Sequence, residues 1–278
     1  MPTATPVSAW SPMTSGTSVN LNGVWDSSIS DVFAVGDYGF ILHYNGSAWS
    51  AMASGTNVIL NGVWGSSSSD VFAVGAQGFI LHYGGSGWST MTSGTNVGLN
   101  GVWGSSSSDV FAVGDQGFIL HYDGSGWSAM TSGTTVSLNG IWGSSSSDVF
   151  AVGGQGFILH YDGSAWSAMT GGTNVGLNGV WGSSTSDVFA VGGQGFILHY
   201  DGSGWSAMTS DTNHSLNGVW GISSSDAFAV GNQGFILHYD GSGWSAMTSG
   251  TTVSLNGVWG ISSSDVFAVG DYGFILNY

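Results

Sequence analysis

The sequence predicts an all-β protein, a seven-bladed β-propeller of four-stranded antiparallel blades. Tryptophan recurs every 39 residues in two series, and each 39-residue unit holds four short runs of β-branched and aromatic residues. Glycine, serine, aspartate and asparagine separate these runs, which is typical of strands joined by tight turns. Four such strands in a repeated unit of about 40 residues are the pattern of a propeller blade.

The third unit shows the predicted strands, which we name A to D in chain order. Strand A covers Leu99–Trp103, strand B Val110–Val113, strand C Phe118–Tyr122 and strand D Trp127–Met130. Short glycine-containing links join B to C and C to D, and their length suits tight hairpins. In an antiparallel blade the B–C hairpin and the D–A loop then emerge at one end, and the A–B and C–D turns at the other.

Strand B is apolar at every position, as Val110–Val113 shows. A sheet with one face in water would alternate between apolar and polar residues. We therefore expect each sheet to be covered on both faces by its neighbours, as in stacked propeller blades.

The two ends of the chain predict a closed ring. Residues 8–16 have the pattern of a D strand with no A–C before it, and the unit at 255–278 stops after strand C. The N-terminal strand is expected to complete the last blade, which removes an exposed sheet edge. Residues 1–278 then form a single domain, predicted to be a monomer.

The charge of the chain excludes several kinds of partner. All 16 acidic residues are aspartate, and there is no lysine, arginine or cysteine. Nucleic acid, anionic membranes and phosphorylated ligands need basic side chains, so none of them is an expected partner. The absence of cysteine excludes disulfides, thiol nucleophiles and cysteine-containing zinc sites.

The apolar runs are too short to cross a membrane, which needs about 20 residues. The first residues, from Met1 to Pro6, lack the basic and apolar regions of a secretory signal. Localisation is therefore open, with a secreted or cell-surface protein slightly favoured.

Three segments carry a resemblance to known families: Leu-Asn-Gly-Val-Trp, then Asp-Val-Phe-Ala-Val-Gly-x-x-Gly-Phe-Ile-Leu, then Asp-Gly-Ser-x-Trp. In all seven units this pattern resembles propellers related to the photosystem II assembly and stability factor, and more loosely the Asp-box (BNR) repeats of sialidase-like propellers. The Asp-box aspartate is missing at Asn45 and Gly84. A sialidase-type site uses a cluster of arginines, and a chain without arginine excludes that activity.

Near-identity of the units argues against catalysis. An enzyme site gathers different residues from different elements, whereas this chain repeats each candidate residue around an axis. We expect no catalytic residue, no metal and no cofactor. Many equivalent weak sites suit a repetitive ligand, because linked sites gain avidity without new contacts.

Three repeated residue types have both a structural and a functional interpretation. The strand-B aspartate is expected to cap the A–B turn through backbone N–H groups. The alternatives are a calcium or other oxygen-ligand site, contact with a ligand, or a glycosidase pair with the C–D turn aspartate. The strand-C histidine is expected to be a core imidazole bonded to a backbone, serine or aspartate partner. The 14 tryptophans are expected to pack between blades, the alternative being stacking on sugar rings.

The units differ mostly in the B–C hairpin and the D–A loop. Tolerated drift is the favoured explanation, and contact with a ligand is the alternative. Tyr38 and Tyr272 would lie on adjacent blades and make one patch unlike the others. The candidate ligand-binding residues are Asp37, Tyr38, Gln77, Asp115, Gln116, Gln155, Gln194, Asn232, Gln233, Asp271 and Tyr272.

Two functions follow from these features. The first is a multivalent, lectin-like binding module for neutral glycans or a protein partner, because tryptophan, asparagine, glutamine and aspartate supply stacking faces and hydrogen bonds. The second is a structural or engineered symmetric propeller with no specific ligand.

Overall fold

The computed structural model describes residues 9–278, which fold into seven separate four-stranded antiparallel sheets. The first strand, β1 (Ser11–Met13), belongs to the last blade, and blades 1 to 7 follow in chain order.

The strands of each blade are numbered along the chain. Blade 1 is β2–β5 (Leu21–Ser28, Asp31–Gly36, Ile41–Tyr44, Trp49–Met52); blade 2 is β6–β9 (Leu60–Ser67, Asp70–Gly75, Ile80–Tyr83, Trp88–Met91); blade 3 is β10–β13 (Leu99–Ser106, Asp109–Gly114, Ile119–Tyr122, Trp127–Met130); blade 4 is β14–β17 (Leu138–Ser145, Asp148–Gly153, Ile158–Tyr161, Trp166–Met169); blade 5 is β18–β21 (Leu177–Ser184, Asp187–Gly192, Ile197–Tyr200, Trp205–Met208); blade 6 is β22–β25 (Leu216–Ser223, Asp226–Gly231, Ile236–Tyr239, Trp244–Met247); blade 7 is β26–β28 (Leu255–Ser262, Asp265–Gly270, Ile275–Asn277) with β1.

A single 3₁₀ turn occupies every B–C hairpin. These turns are Asp37–Gly39, Ala76–Gly78, Asp115–Gly117, Gly154–Gly156, Gly193–Gly195, Asn232–Gly234 and Asp271–Gly273. Within residues 9–278, no helix has the length and apolar character needed to span a membrane.

Closure of the ring is confirmed. Strand β1 pairs with β28 in antiparallel register, with Ser11 opposite Asn277 and Met13 opposite Ile275. Residues 1–8 of the predicted single domain, including the first residue of the predicted closing strand, lie outside the described part of the chain.

Strand boundaries differ most for strand A, which runs to Ser106 rather than to Trp103. A register shift between Gly104 and Ser106 marks a β-bulge, after which Ser106 pairs with Asp109. Serine does not favour strands, so the polar end of strand A carries no strand signal in the sequence. Strand D has the predicted bounds.

Strand B is buried on both faces, as its uniform apolar sequence predicted. From Val110 to Val113 the four side chains are at most 1% exposed. Its phenylalanine joins two blades: Phe72 packs against Trp127 of the next blade, with ring centroids 6.2 Å apart and nearly perpendicular planes. The same contact recurs at the seam between Phe267 and Trp49. Each of the 14 tryptophans is buried or half-buried, which confirms their predicted place between blades.

The A strands surround the central axis and contact one another. The second residue of each is an asparagine whose side-chain amide donates to the leucine carbonyl of the next blade. These bonds, 2.8 to 3.0 Å long, run Asn22–Leu60, Asn61–Leu99, Asn100–Leu138, Asn139–Leu177, Asn178–Leu216, Asn217–Leu255 and Asn256–Leu21. We call this set the asparagine ladder. The seventh bond joins the last blade to the first, so the ladder is a closed circle.

Close approach of the A strands depends on glycine. A Cβ at Gly101 would lie 3.1 Å from the carbonyl oxygen of Asn139 in the next blade. That distance is tighter than ordinary van der Waals contact, so a side chain here would push the blades apart.

The ladder gives a matched pair of substitutions. Asn100 and Asn256 each donate to the next blade's leucine carbonyl and to an aspartate of their own hairpin. We expect Asn100→Ala and Asn256→Ala to lower the free energy of unfolding by a similar amount, about 1–3 kcal/mol, in urea titrations. Ser107→Ala, in an exposed turn, is the control and should change it by less than about 0.5 kcal/mol. A negligible loss for Asn256→Ala alone would show that the seam does not close as described.

Candidate functional site

The B–C hairpins and D–A loops lie together at one end of the ring, which we call the hairpin face. Each hairpin is fixed by a backbone bond to the loop before its blade: the Asp115 N–H donates to the Gly98 carbonyl at 2.9 Å. The glycine that ends the hairpin packs on the loop that follows, since a Cβ at Gly117 would lie 2.3 Å from the Thr134 carbonyl oxygen. The hairpin is thus held between two loops.

The middle residue of every hairpin has a left-handed backbone, with φ between 56° and 60°. A residue with a Cβ is strained in this region, and glycine is the residue that avoids the strain. All seven blades nevertheless carry a side chain here, and all seven side chains are exposed. They are Tyr38, Gln77, Gln116, Gln155, Gln194, Gln233 and Tyr272. Of the other predicted site residues, Asp115 and Asn232 are exposed, and Asp37 and Asp271 are half-buried.

A groove adjoins these hairpins at the blade boundaries. In blade 1 it has a volume of about 840 Å³, and its lining includes Tyr38, Phe40, Met52, Thr56 and Phe79 of blade 2. Equivalent grooves follow the hairpins of blades 2, 4 and 6. The methionine, phenylalanine and threonine of this groove are not among the site residues predicted from the sequence. These three residue types recur next to the variable hairpins, and this recurrence was the available sign of a groove. The groove itself forms between residues of two blades, and the sequence of one unit does not show which residues of the next blade they face.

The opposite end, which we call the turn face, holds the repeated aspartates and histidines. The His121 Nε2 lies 2.7 Å from Asp109 Oδ1, and the Ser105 hydroxyl donates to Asp109 Oδ2 at 2.5 Å. The same histidine–aspartate pair occurs in blades 1 to 6, at 2.6 to 2.8 Å. Of the backbone, serine and aspartate partners predicted for the histidine, the structure shows aspartate, and the imidazole is half-buried rather than in the core. The predicted backbone cap is wrong: the partners of the strand-B aspartate are side chains, because the strand places it beside serine and imidazole.

This arrangement lacks the order needed for nucleophilic catalysis. The serine hydroxyl donates to the carboxylate, whereas a catalytic serine needs an imidazole as its direct base. The C–D turn aspartate is also unsuited to act as a general acid. Asp123 accepts bonds from the Ser125 hydroxyl, the Ser125 N–H and the Gly126 N–H, which lower its pKa to about 2. A glycosidase acid needs a raised pKa. Among the described residues, no three metal-ligating side chains cluster.

The seam between blades 7 and 1 departs from the repeat on the turn face. Asp26 stands where the other blades have glycine, and its side chain is 4% exposed. At the equivalent Gly104, a Cβ would lie 2.6 Å from the indole of the preceding blade's Trp64. The indole that would occupy this place at the seam, Trp259, instead lies against Trp220 with centroids 6.4 Å apart.

The Asp26 carboxyl is poorly accommodated. Neither of its oxygens has a hydrogen-bond partner in good geometry. Burial raises its pKa to about 7, with further contributions from the charges of Asp265 and Asp31, while the Trp259 side chain opposes the shift.

Asp265, which raises the pKa of Asp26 more than Asp31 does, is itself an exception on the turn face. Ile261 replaces its serine partner and Asn277 its histidine, so one Asp265 oxygen is also buried without a partner.

Comparisons with known proteins support the fold. No protein-family model and no curated protein matches this sequence. Among solved structures, YCF48 bound to a D1 peptide is similar with a TM-score of 0.81 and 16% identity, over 99% of this chain and 96% of that one. YCF48 from Cyanidioschyzon merolae gives 0.77 and 17% identity, over 97% and 98%. The WD40 propeller domain of Doa1 gives 0.82 and 13%, over 96% and 94%. The predicted seven-bladed propeller is thereby confirmed.

Asp26 makes stability depend on pH. Its pKa is raised from 3.8 to about 7 in the folded protein, so the folded state binds more protons and loses stability as pH rises from about 4 to about 7. We expect Asp26→Gly, which restores the repeat, to raise the free energy of unfolding by about 3–4 kcal/mol at pH 8. The gain at pH 4 should be much smaller.

The control is Asp211→Gly, which also replaces an aspartate at a glycine position of the repeat, here exposed and with φ of 52°. Its gain comes from relief of backbone strain and should be the same at both pH values. Urea titrations of the parent protein and the two variants at pH 4 and pH 8 measure these free energies of unfolding. If Asp26→Gly raised the free energy of unfolding equally at both pH values, the raised pKa of Asp26 in the folded protein would be contradicted.

Proposed function

We propose that this protein is a non-enzymatic binding propeller that holds an extended segment of a partner protein on its hairpin face. The observation that carries the proposal is the row of seven exposed side chains with left-handed backbone. Each costs about 1 kcal/mol or more in strain. Glycine would remove that cost at once, and a strained residue kept in every blade is typical of a functional surface.

The five glutamines of this row have the chemistry of a peptide ligand. Within the described residues their amides make no intramolecular hydrogen bond. Each amide offers two donors and an acceptor, which match the C=O and N–H groups of an extended chain. The repeated hydrogen-bonding groups are Gln77, Gln116, Gln155, Gln194 and Gln233.

The grooves add places for side chains. Each of the four grooves combines phenylalanine and methionine with threonine hydroxyls, and the grooves of blades 1, 2 and 6 add a serine hydroxyl. Apolar walls with a few polar groups are typical of binding sites. A segment that crosses several hairpins would place its side chains in successive grooves, and the linked contacts would add up.

The solved structures are consistent with a peptide ligand. YCF48, which has the same fold at 16% identity, was solved bound to a D1 peptide. That peptide is a ligand of YCF48, and the likeness shows a shared fold. It supports this proposal only by showing that a propeller of this shape can hold a peptide.

A neutral glycan is the second candidate. The same five amides would bond to sugar hydroxyls, and their equal spacing around the ring suits a repetitive polysaccharide. The tryptophans give no support to it, because all 14 are buried or half-buried in blade contacts. A peptide is therefore favoured.

The test separates binding from folding. Gln116→Gly is expected to leave the free energy of unfolding unchanged or raise it by up to about 1 kcal/mol, because it relieves backbone strain. The same change should weaken binding to short peptides, measured on a peptide array and then by calorimetry. A neutral-glycan array run in parallel distinguishes the second candidate. Ser107→Ala, on the turn face, is the control and should bind like the parent protein.

Two outcomes would overturn the proposal. Retention of glycans but of no peptide would establish the second candidate. If neither array retains the protein, or if Ser107→Ala weakens binding as much as Gln116→Gly, the hairpin face is not a binding surface and the propeller is a scaffold.

A further inference from the structure

Two hairpins differ from the other five and lie side by side across the seam. Blade 1 and blade 7 both carry Asp-Tyr where other blades carry a residue followed by glutamine. Tyr38 and Tyr272 are 73% and 72% exposed, the highest values among the large hydrophobic residues of the described chain. Their identical neighbours Asp37 and Asp271 repeat the pair on both sides of the seam. We call these four residues the seam patch.

Asn20 ties the two hairpins together. The Tyr272 N–H donates to Asn20 Oδ1 at 2.9 Å, and the Asn20 amide donates to Asp37 Oδ2 at 3.0 Å. One side chain thus connects the backbone of one tyrosine to the carboxylate beside the other. No other blade has asparagine at this position; the counterparts are Ile59, Gly98, Ser137, Gly176, Ser215 and Ser254.

The two carboxylates are oriented by the asparagine ladder. Asn22 donates to Asp37 Oδ1 at 3.2 Å, and Asn256 donates to Asp271 Oδ1 at 3.0 Å. Both aspartates are half-buried and therefore keep part of their surface toward solvent. The chain has no lysine or arginine to neutralise them. The seam patch combines two exposed aromatic faces with two positioned negative charges.

This combination selects a cation. Ammonium and guanidinium groups bind aromatic faces and form charge-assisted hydrogen bonds with carboxylates. Guanidinium does both with one planar group. The formal charge of −16, with no opposing cation, also draws a positively charged segment toward the surface from a distance.

We propose that the seam patch binds an arginine- or lysine-bearing segment of the partner protein. This inference rests on the proposed function, because it names the chemistry of the ligand that the hairpin face holds. A second copy of this chain does not qualify, since it has no lysine or arginine. A neutral glycan would use the tyrosine faces but would leave the two carboxylates without a role.

The experiment uses a fluorescently labelled peptide that alternates glycine with arginine, and the same peptide with citrulline in place of arginine. Citrulline keeps the shape and removes the charge. Fluorescence anisotropy should show binding of the arginine peptide only, weakened in about 0.5 M NaCl. The double change Tyr38→Gln with Tyr272→Gln restores the hairpin of the other blades and should weaken binding by about tenfold or more.

Two double variants separate the effect on binding of charge at the seam from the effect of the total charge of the protein. Asp37→Asn with Asp271→Asn should weaken binding strongly. Asp123→Asn with Asp162→Asn removes the same charge from exposed C–D turns of the turn face, where blade 1 already carries Asn45, and should weaken it little. Equal effects of the two doubles would reduce the site to diffuse attraction and overturn the inference.

Failure of this inference is distinguishable from failure of the proposed function. If the arginine and citrulline peptides bind equally, and Gln116→Gly weakens both, the hairpin face binds peptides and the seam patch is not a cation site. If neither peptide binds and the peptide array also retains nothing, both proposals are wrong.

Discussion

The contact between neighbouring A strands is the interaction on which the rest of the structure depends. A single blade of four short strands, apolar on both faces, cannot bury those faces without neighbouring blades. Each asparagine of the ladder reaches the next blade's leucine carbonyl, and each strand-B phenylalanine packs against the next blade's tryptophan. Because the seventh set of contacts returns to the first blade, every blade has two neighbours and no sheet face is left open.

The same contacts divide the repeat into constrained and free positions. Gly101 and its counterparts must be glycine because the next A strand leaves no room for a side chain. The tryptophans must be large and apolar because they fill the contact between neighbouring blades. The hairpin side chains are fixed by nothing in the fold, since they point into solvent from a backbone that favours glycine. Residues kept against the local backbone preference are the ones for which binding offers an explanation.

Much of the fold was predictable because it repeats. Seven copies of one unit reveal the strands, the number of blades and the closing strand without any other information. The polar end of strand A, from Gly104 to Ser106, was missed because serine carries no strand signal. The backbone cap predicted for the strand-B aspartate was wrong, because the serine and histidine side chains that bind its carboxylate reach it only in the folded sheet.

The site was predictable in part. The variable hairpins pointed to the residues of the hairpin face, but tolerated drift was the favoured explanation of their variation. The left-handed backbone favours a binding role over tolerated drift. It is a property of the folded turn and cannot be seen in the sequence. At the seam, the sequence predicted the closing strand and the adjacent Tyr38 and Tyr272, but not the contacts around them. Asp26 and Asp265 are distant in the chain and meet only because the ring closes, and the same is true of Asn20 and Tyr272.

Native-state hydrogen exchange tests the closed, cooperative ring most directly. The measurement compares the strand-B amides of the seven phenylalanines, from Phe33 to Phe267, under conditions where exchange reports the opening equilibrium. If the ladder joins all seven blades equally, these amides should have the same protection factor within about tenfold. That protection factor should equal the one set by global unfolding of the protein. Markedly faster exchange at Phe267 or Phe33 would show that the ring opens at the seam, and would contradict closure by equal contacts.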